Sequence, residues 1–326
     1  TRRSRGRKPD AIAASSMAWG EPAIETSLST VHHGRLYYRG QDAIELARTA
    51  SLEEIARLLW AAEHEVRFPA AQEPHTQAFA ALAALVPAAY PMLGREHGSL
   101  VSDATNIVGM IASVCGAAAG DDPLHVRLAR GWGCNLNATE RLRQALVAMA
   151  DHDLNASTFA ARVAASTGAS LSASVLAGLC ALSGPRHGGA AVALRALIDD
   201  ARSTDCLSAI DRWSARGVEM PGFGHPLYPC GDPRGLLMMT GLTLDPFLAQ
   251  FRDAVISRTG LNSNCDFGLA AMVQALGLPD DAPFRLFLIG RSVGWCAHAM
   301  EQNQSGILIR PRGRYEGPTL ANFVPK

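Results

Sequence analysis

Residues Pro221–Arg234, PGFGHPLYPCGDPR, set three glycines and four prolines around one histidine. Glycine and proline at that density can continue neither a helix nor a strand, so the chain must turn here with little backbone freedom. The turn presents His225 at a fixed place. Arg234, nine residues on, offers a planar fork suited to a carboxylate. By residue type alone, the stretch suits a surface turn equally well.

The rest of the chain reads as helices on either side of that turn. Its 326 residues are 48% hydrophobic and 18% charged, enough for one large domain or two unequal ones around a sizeable core. Alanine is abundant and aromatics make up only 6%, which favours close-packed helices over sheet. Ser51 is placed to cap SLEEIARLLWAAEHEV, with Glu53 and Glu54 in the first turn and Leu52, Ile55, Leu58 and Leu59 on one face. Further helices are predicted over Thr76–Val86, Leu100–Ala119, Arg141–Ala150, Ser157–Thr167, Leu171–Leu182 and Ala190–Arg202. Asp245-Pro246 opens another that runs to Arg258. Asp266–Leu276 and Phe284–Gln302 complete the set. The main strand signal is Glu25–Gly40, a short hairpin around His33-Gly34.

Composition excludes several classes of function. Formal net charge is zero, so no global field favours nucleic acid, a membrane or an acidic partner. The only lysines are Lys8 and Lys326, which argues against a buried Schiff-base lysine and a P-loop. Seven scattered cysteines without a CxxC pair read as small buried hydrophobes in a reducing compartment. HExxH is absent. Two uncharged stretches, Pro74–Gly94 and Val163–Pro185, are broken by prolines or diluted by serines and threonine, and suit buried helices better than membrane spans. With no secretory signal visible, the expected location is cytoplasmic. Thr1–Asp10 (TRRSRGRKPD) reads as a solvated basic arm or linker; contact with nucleic acid is the alternative.

The candidate chemistry lies where helices start or stop. Gly290–Gly294 (GRSVG) fits the GxSxG of a hydrolase nucleophile elbow, but few strands precede it, so a small-residue stretch within a helix is the preferred reading. In Asp151–Phe159 (DHDLNASTF), His152 sits at a junction whose Asn155, Ser157 and Thr158 can cap the next helix. In Leu182–Ala190 (LSGPRHGGA), the glycines keep side chains away from His187, and the following helix start disfavours its imidazolium. In NSNCDF, Asp266 opens an apolar helix, where by residue type alone a simple cap is the favoured reading. Arg291, Arg310, Arg312 and Arg314 are the remaining candidates.

In this order the stretches DHDLNASTFAARVAASTGA, LSGPRHGGA, PGFGHPLYPCGDPR, NCDF, GRSVGWCAHAMEQ and IRPRGRYEG resemble the citrate synthase family, as do the earlier GRLYYRG and LEEIARLLW. The resemblance implies an all-α fold with a large domain and a smaller closing one: residues 21–187 and 280–326 for the large domain, 188–279 for the small, after an arm over 1–20. It implies condensation of an acyl-CoA, acetyl-CoA first, with oxaloacetate. Asp266 would be the base, with His187 and His225 as hydrogen-bond donors. His152, Arg234 and Arg291 would hold oxaloacetate, and Arg310 would serve the partner's site in a homodimer. Neither a metal nor a cofactor beyond the acyl-CoA co-substrate is implied. Three positions depart from the family pattern: Pro229 where a basic residue is frequent, Arg186 where an apolar one is usual, and Ala191 in place of an asparagine. They resemble a divergent branch in which some members carry an N-terminal helix-turn-helix module. Two alternatives stand beside the citrate reading: a 2-methylcitrate synthase using propionyl-CoA, and a ligand-binding regulator without turnover.

Overall fold

The structure is a computed structural model that describes residues 23–72, 76–313 and 315–317. The basic arm over 1–20 and Arg314 lie outside the described residues. Fourteen α-helices and one small sheet are described. The strands β1 (Ser29–His32), β2 (Arg35–Tyr38) and β3 (Gln41–Asp42) run antiparallel in that order. As the sequence predicts, His33-Gly34 closes the β1–β2 hairpin, with φ of 48° and 72°. Such paired positive φ angles match the twist of the flanking strands.

The helices are α1 (Ala43–Thr49), α2 (Leu52–Trp60), α3 (Ala78–Leu85), α4 (His97–Val114), α5 (Leu124–Gly131), α6 (Leu136–Ala148) and α7 (Ala156–Ser166). They continue as α8 (Leu171–Leu182), α9 (Ala190–Ser203), α10 (Cys206–Ser214), α11 (Pro233–Met239), α12 (Pro246–Thr259), α13 (Cys265–Leu276) and α14 (Ala282–Ser305). Side-chain caps set many of the starts. Ser51 and Glu54 form a reciprocal capping box at α2, and Asn155 caps α7 through the amides of Ser157 and Thr158.

Three boundaries differ from the sequence expectation by about five residues or more. Helix α2 stops at Trp60, short of Val66, because Ala61 turns to a left-handed φ of 51°. Helix α4 stops at Val114, short of Ala119, because Gly116 turns to φ 101° and Ala118 bonds instead to the carbonyl of Arg127. Helix α6 starts at Leu136, earlier than Arg141, because Asn135 caps it. Four helices, α1, α5, α10 and α11, have no counterpart among the expected elements.

Two hydrophobic cores organise the chain. The larger is built from α1–α8 and α14, with contributions from the sheet, α11 and α13. The smaller joins α9, α10 and α12 with Met220, Phe223, Phe267 and Ala271. Helix α14 is buried along most of its length, and it approaches the end of α6 closely at Gly290 and Gly294. A Cβ at Gly294 would stand 2.5 Å from the Ala150 carbonyl oxygen. That is the meaning of the GRSVG spacing: two glycines four apart open one helix face. Ser292 lies between them, fully buried, donating to the Ile289 carbonyl within its own helix. Among the described residues, no helix is long and apolar enough to cross a membrane.

Candidate active site

Five separate elements bring the candidate residues together. The α6–α7 turn supplies His152, the α8–α9 turn His187, and the Pro221–Arg234 turn His225 and Arg234. Asp266 comes from the first turn of α13, and Arg291 from α14.

The glycine–proline turn is zipped to the segment that leads into α13. Phe223 bridges Ser263, Gly224 donates to the Asn262 carbonyl at 2.7 Å, and Asn264 donates to the Gly222 carbonyl at 3.0 Å. Gly222 takes φ 80°, and a Cβ there would press on Leu194 at 2.8 Å. Glycine is required at this position for both reasons. The zipper fixes His225 relative to Asp266. Asn264 is the true cap of α13, accepting from the amide of Asp266, so the Asp266 carboxylate is released from capping.

Arg234 and Asp232 form a buried two-point ion pair, Nε to Oδ1 at 3.0 Å and Nη2 to Oδ2 at 2.8 Å. One edge of the guanidinium is thereby occupied, and Nη1 is left to face a ligand. Asp232 Oδ2 also accepts the amide of Cys265 at 3.1 Å, tying the arginine to the start of the Asp266 helix. Arg291 donates through Nε to the Met149 carbonyl, while its Nη2 is buried with no partner among the described residues. An unsatisfied buried guanidinium donor is costly unless an anion meets it.

The imidazoles are held as neutral rings. Burial pushes His152 well below its ordinary value, reinforced by the positive Arg234 and Arg291. Burial likewise lowers His187 and His225, each to about 4, helped by Arg291 and Arg234 at His187 and by Arg234 against Asp232 at His225. For His187 burial is the largest cause, ahead of any helix-end effect. The Leu227 amide donates to His225 Nδ1 at 3.1 Å, so the ring proton of neutral His225 is on Nε2. His187 is anchored through Nε2, 2.8 Å from Ser157 Oγ, which also accepts from Trp295 Nε1 at 3.1 Å. Its Nδ1 is the nitrogen left for a ligand. Asp266 moves the other way: burial raises it to about 6, with Arg234 opposing and the negative Asp232 adding to the rise.

Glycines 188 and 189 serve packing more than His187 directly. A Cβ at Gly188 would meet Leu182 at 2.7 Å, and one at Gly189 would meet the Gly184 carbonyl oxygen at 2.8 Å, so the turn folds back on the end of α8.

Three side chains in the cluster escape a reading of the sequence. Tyr228 Oη lies 2.9 Å from His152 Nε2, and its ring packs against His225 at 4.9 Å between centroids. Phe287 lies between His187, edge-on at 5.5 Å, and the Arg291 guanidinium at 4.7 Å. Asp232 is legible only as part of an acid–proline–arginine triplet. Arg310 is not part of this cluster; it is exposed in the segment after α14, as is Arg312. Arg186 and Pro229 are exposed, and Ala191 is half-buried at the start of α9.

Comparison with known proteins follows the same line. The family description "Citrate synthase, C-terminal domain" matches residues 66–312. The chain is 29% identical to Citrate synthase 2 of Bacillus subtilis, over 94% of this chain and 96% of that protein. It is 28% identical to a 2-methylcitrate synthase of Shewanella oneidensis, with the same coverage of 94% and 96%. The fold matches a Thermoplasma acidophilum citrate synthase solved with carboxymethyl coenzyme A and oxaloacetate, at TM-score 0.77, 24% identity, and coverage of 94% and 97%. A Thermotoga maritima citrate synthase matches at TM-score 0.76 and 23% identity, over 94% of this chain and 96% of that one. An all-α body with these relatives is a transferase of the citrate synthase type. The chain belongs to the citrate synthase family.

Proposed function

We propose that this protein condenses an acyl-CoA, acetyl-CoA first, with oxaloacetate to give citrate and free CoA. The observation that carries the reading is the opposed displacement of acidities within one cluster: a carboxyl raised to about 6 beside two imidazoles lowered to about 4. Titratable groups driven apart by their surroundings mark acid and base assignments.

Asp266 takes a proton from the carbon next to the thioester. A carboxylate made more basic by burial suits that task. His187 donates a ring proton to the thioester oxygen as the enolate forms. The new carbon nucleophile attacks the keto carbon of oxaloacetate, and His225 Nε2–H donates to the oxygen that becomes an alkoxide. Water then cleaves the citryl thioester, leaving a carboxylate and the CoA thiol. The free edge of Arg234 and the unpartnered Nη2 of Arg291 receive the oxaloacetate carboxylates, with His152 as a further hydrogen-bond partner. Acyl-CoA enters as a co-substrate, and no other cofactor takes part.

The smaller core supports reading residues 188–279 as a domain that closes over the substrates, excluding water before enolisation. Exposed apolar side chains around α3 and the turn after it, Phe79, Leu85, Tyr90 and Leu93, support a homodimer. Arg310 then acts in the partner's site.

The test is CoA-thiol release with oxaloacetate, acetyl-CoA and propionyl-CoA run in parallel. Release that needs both substrates is expected, with the larger kcat/KM for acetyl-CoA. One methylene is worth only about 1–3 kcal/mol in a pocket, so the ratio names the acyl group by roughly 10–200-fold at most. A larger value for propionyl-CoA would make the protein a 2-methylcitrate synthase. Calorimetric binding of oxaloacetate without any release would make it a regulator and sink the enzyme reading.

A further inference from the structure

We propose that Ser29 and His298 are positioning residues for His152, clamping the turn that carries it from outside the substrate cluster.

The turn is unusual in its backbone. Asp153, just after His152, takes φ 51°, a left-handed conformation that a non-glycine residue holds only when its surroundings impose it. Both neighbours of His152 are tied to one hydroxyl on β1. Ser29 Oγ donates to Asp151 Oδ2 at 2.5 Å and accepts the amide of Asp153 at 3.0 Å. A single side chain, 122 residues away in sequence from Asp151, therefore grips the turn on each side of the histidine.

His298 closes the other face of Asp151. Its Nε2 lies 3.0 Å from Asp151 Oδ2, and its Nδ1 lies 3.0 Å from Arg162 Nη1. A guanidinium only donates, so Nδ1 must accept and the ring proton must be on Nε2, directed at Asp151. Arg162 is anchored in turn by Glu301 at 2.6 Å and by Gln302 at 2.9 Å. Asp151 and His298 are both fully buried, at 0% exposure, which removes water as a substitute partner. The glycine of α14 makes room for this carboxylate, since a Cβ at Gly294 would stand 2.6 Å from Asp151 Oδ1. The chain from Arg162 to Asp153 converges on Asp151 Oδ2, with Arg162 donating through His298 on one side and the Asp153 amide through Ser29 on the other, while Asp151 Oδ1 has no partner among the described residues. Its endpoint is the backbone on either side of His152, whose ring is then met by Tyr228.

Of these groups only Asp151 acts on the substrate cluster directly, through its charge on Arg291, and Ser29 and His298 hold it without moving a proton. Their effect on activity reaches the substrate through His152, so this proposal rests on reading His152 as an oxaloacetate contact. Misplacing such a group by about 1 Å is enough to cost up to ~10²-fold.

The experiment compares wild-type protein with Ser29→Ala and Ser29→Thr, after oxaloacetate binding by the wild type has been measured by calorimetry. Ser29→Ala removes both contacts of the hydroxyl while leaving the strand intact, and Ser29→Thr restores the hydroxyl. Expected for Ser29→Ala are a KM for oxaloacetate raised roughly tenfold, a kcat within about twofold of wild type and an unchanged KM for acyl-CoA, with recovery in Ser29→Thr. A variant that melts lower but keeps its KM for oxaloacetate overturns the proposal, as does one that loses kcat and both KM values together. Imidazole ¹⁵N spectra provide a second readout that needs no substrate: the His152 ring signals should shift or broaden in Ser29→Ala and return in Ser29→Thr. If the wild type does not bind oxaloacetate, the synthase reading fails, and the ring signals alone decide the clamp. Unchanged His152 signals overturn it.

Discussion

Burial acts on Asp266 and on the two imidazoles with opposite sign, because it always penalises the charged form. For Asp266 that form is the base of the proposed mechanism. Its folded value of about 6 lies above its ordinary 3.8, so the carboxylate is ionised only above about pH 6. We expect log kcat/KM to rise with a slope of about one up to about pH 6 and to level off above it, measured across roughly pH 4.5–8. His187 and His225 stay neutral through most of that window, since each titrates near 4. Asp266→Asn should lower turnover by at least about 10²-fold. It should also raise Tm at about pH 7.5, because the charge is held there against its preference; every tenfold loss of acidity on folding is worth about 1.4 kcal/mol. That gain should fade as pH falls from about 6 to 3.8, where the carboxyl is protonated in both the folded and unfolded states. The histidines have the reverse linkage. Their folded values lie below the ordinary 6.5, so the unfolded chain binds their protons first, and stability falls as pH drops from 6.5 toward about 4.

Local punctuation makes much of the element level legible. Asp245-Pro246 announces α12, and Ser51 with Glu54 announces α2. The same Asp-Pro signature at 232–233 opens α11, yet there the surrounding glycines and prolines speak only of a turn. That Asp232 also pairs the Arg234 side chain while capping α11 depends on its carboxylate reaching two residues along and across to Cys265, which no spacing rule specifies. Tyr228 and Phe287 are illegible for a related reason. A large apolar ring in a helix or turn reads as core until folding brings two histidines or an arginine against it. The short helices α5 and α10 span only about two turns and interleave their apolar residues with charged ones, and burial against neighbours secures them. Gly294 is the clearest element-scale test. Gly294→Ala puts a Cβ against the Ala150 carbonyl and the Asp151 carboxylate, forcing α14 away from the His152 turn. We expect a loss of about 1–3 kcal/mol in urea unfolding, with the oxaloacetate KM rising alongside it.

For the whole molecule, the sharpest prediction concerns assembly. Arg310 is exposed and remote from its own chain's cluster, so Asp266→Asn and Arg310→Ala should both be inactive alone. Mixed, unfolded and refolded together, they should regain about a quarter of wild-type activity. Half of the random dimers are then mixed, and each mixed dimer has one site with both residues intact. A mixture that stays inactive would mean that Arg310 does not serve a partner's site. The two cores also have a thermodynamic corollary. His152 and Arg291 are rooted in elements of the larger core, while His225 sits in the turn that the smaller core holds through Phe223; Arg234 is on α11, which packs on both. A dicarboxylate held between Arg291 and His225 would be a removable crosslink between the two cores, strengthening their coupling by RT ln(1 + [L]/Kd). Amide exchange across α9, α10 and α12 would then slow in step with ligand occupancy, so the metabolite would tune how often the smaller unit opens independently of the rest.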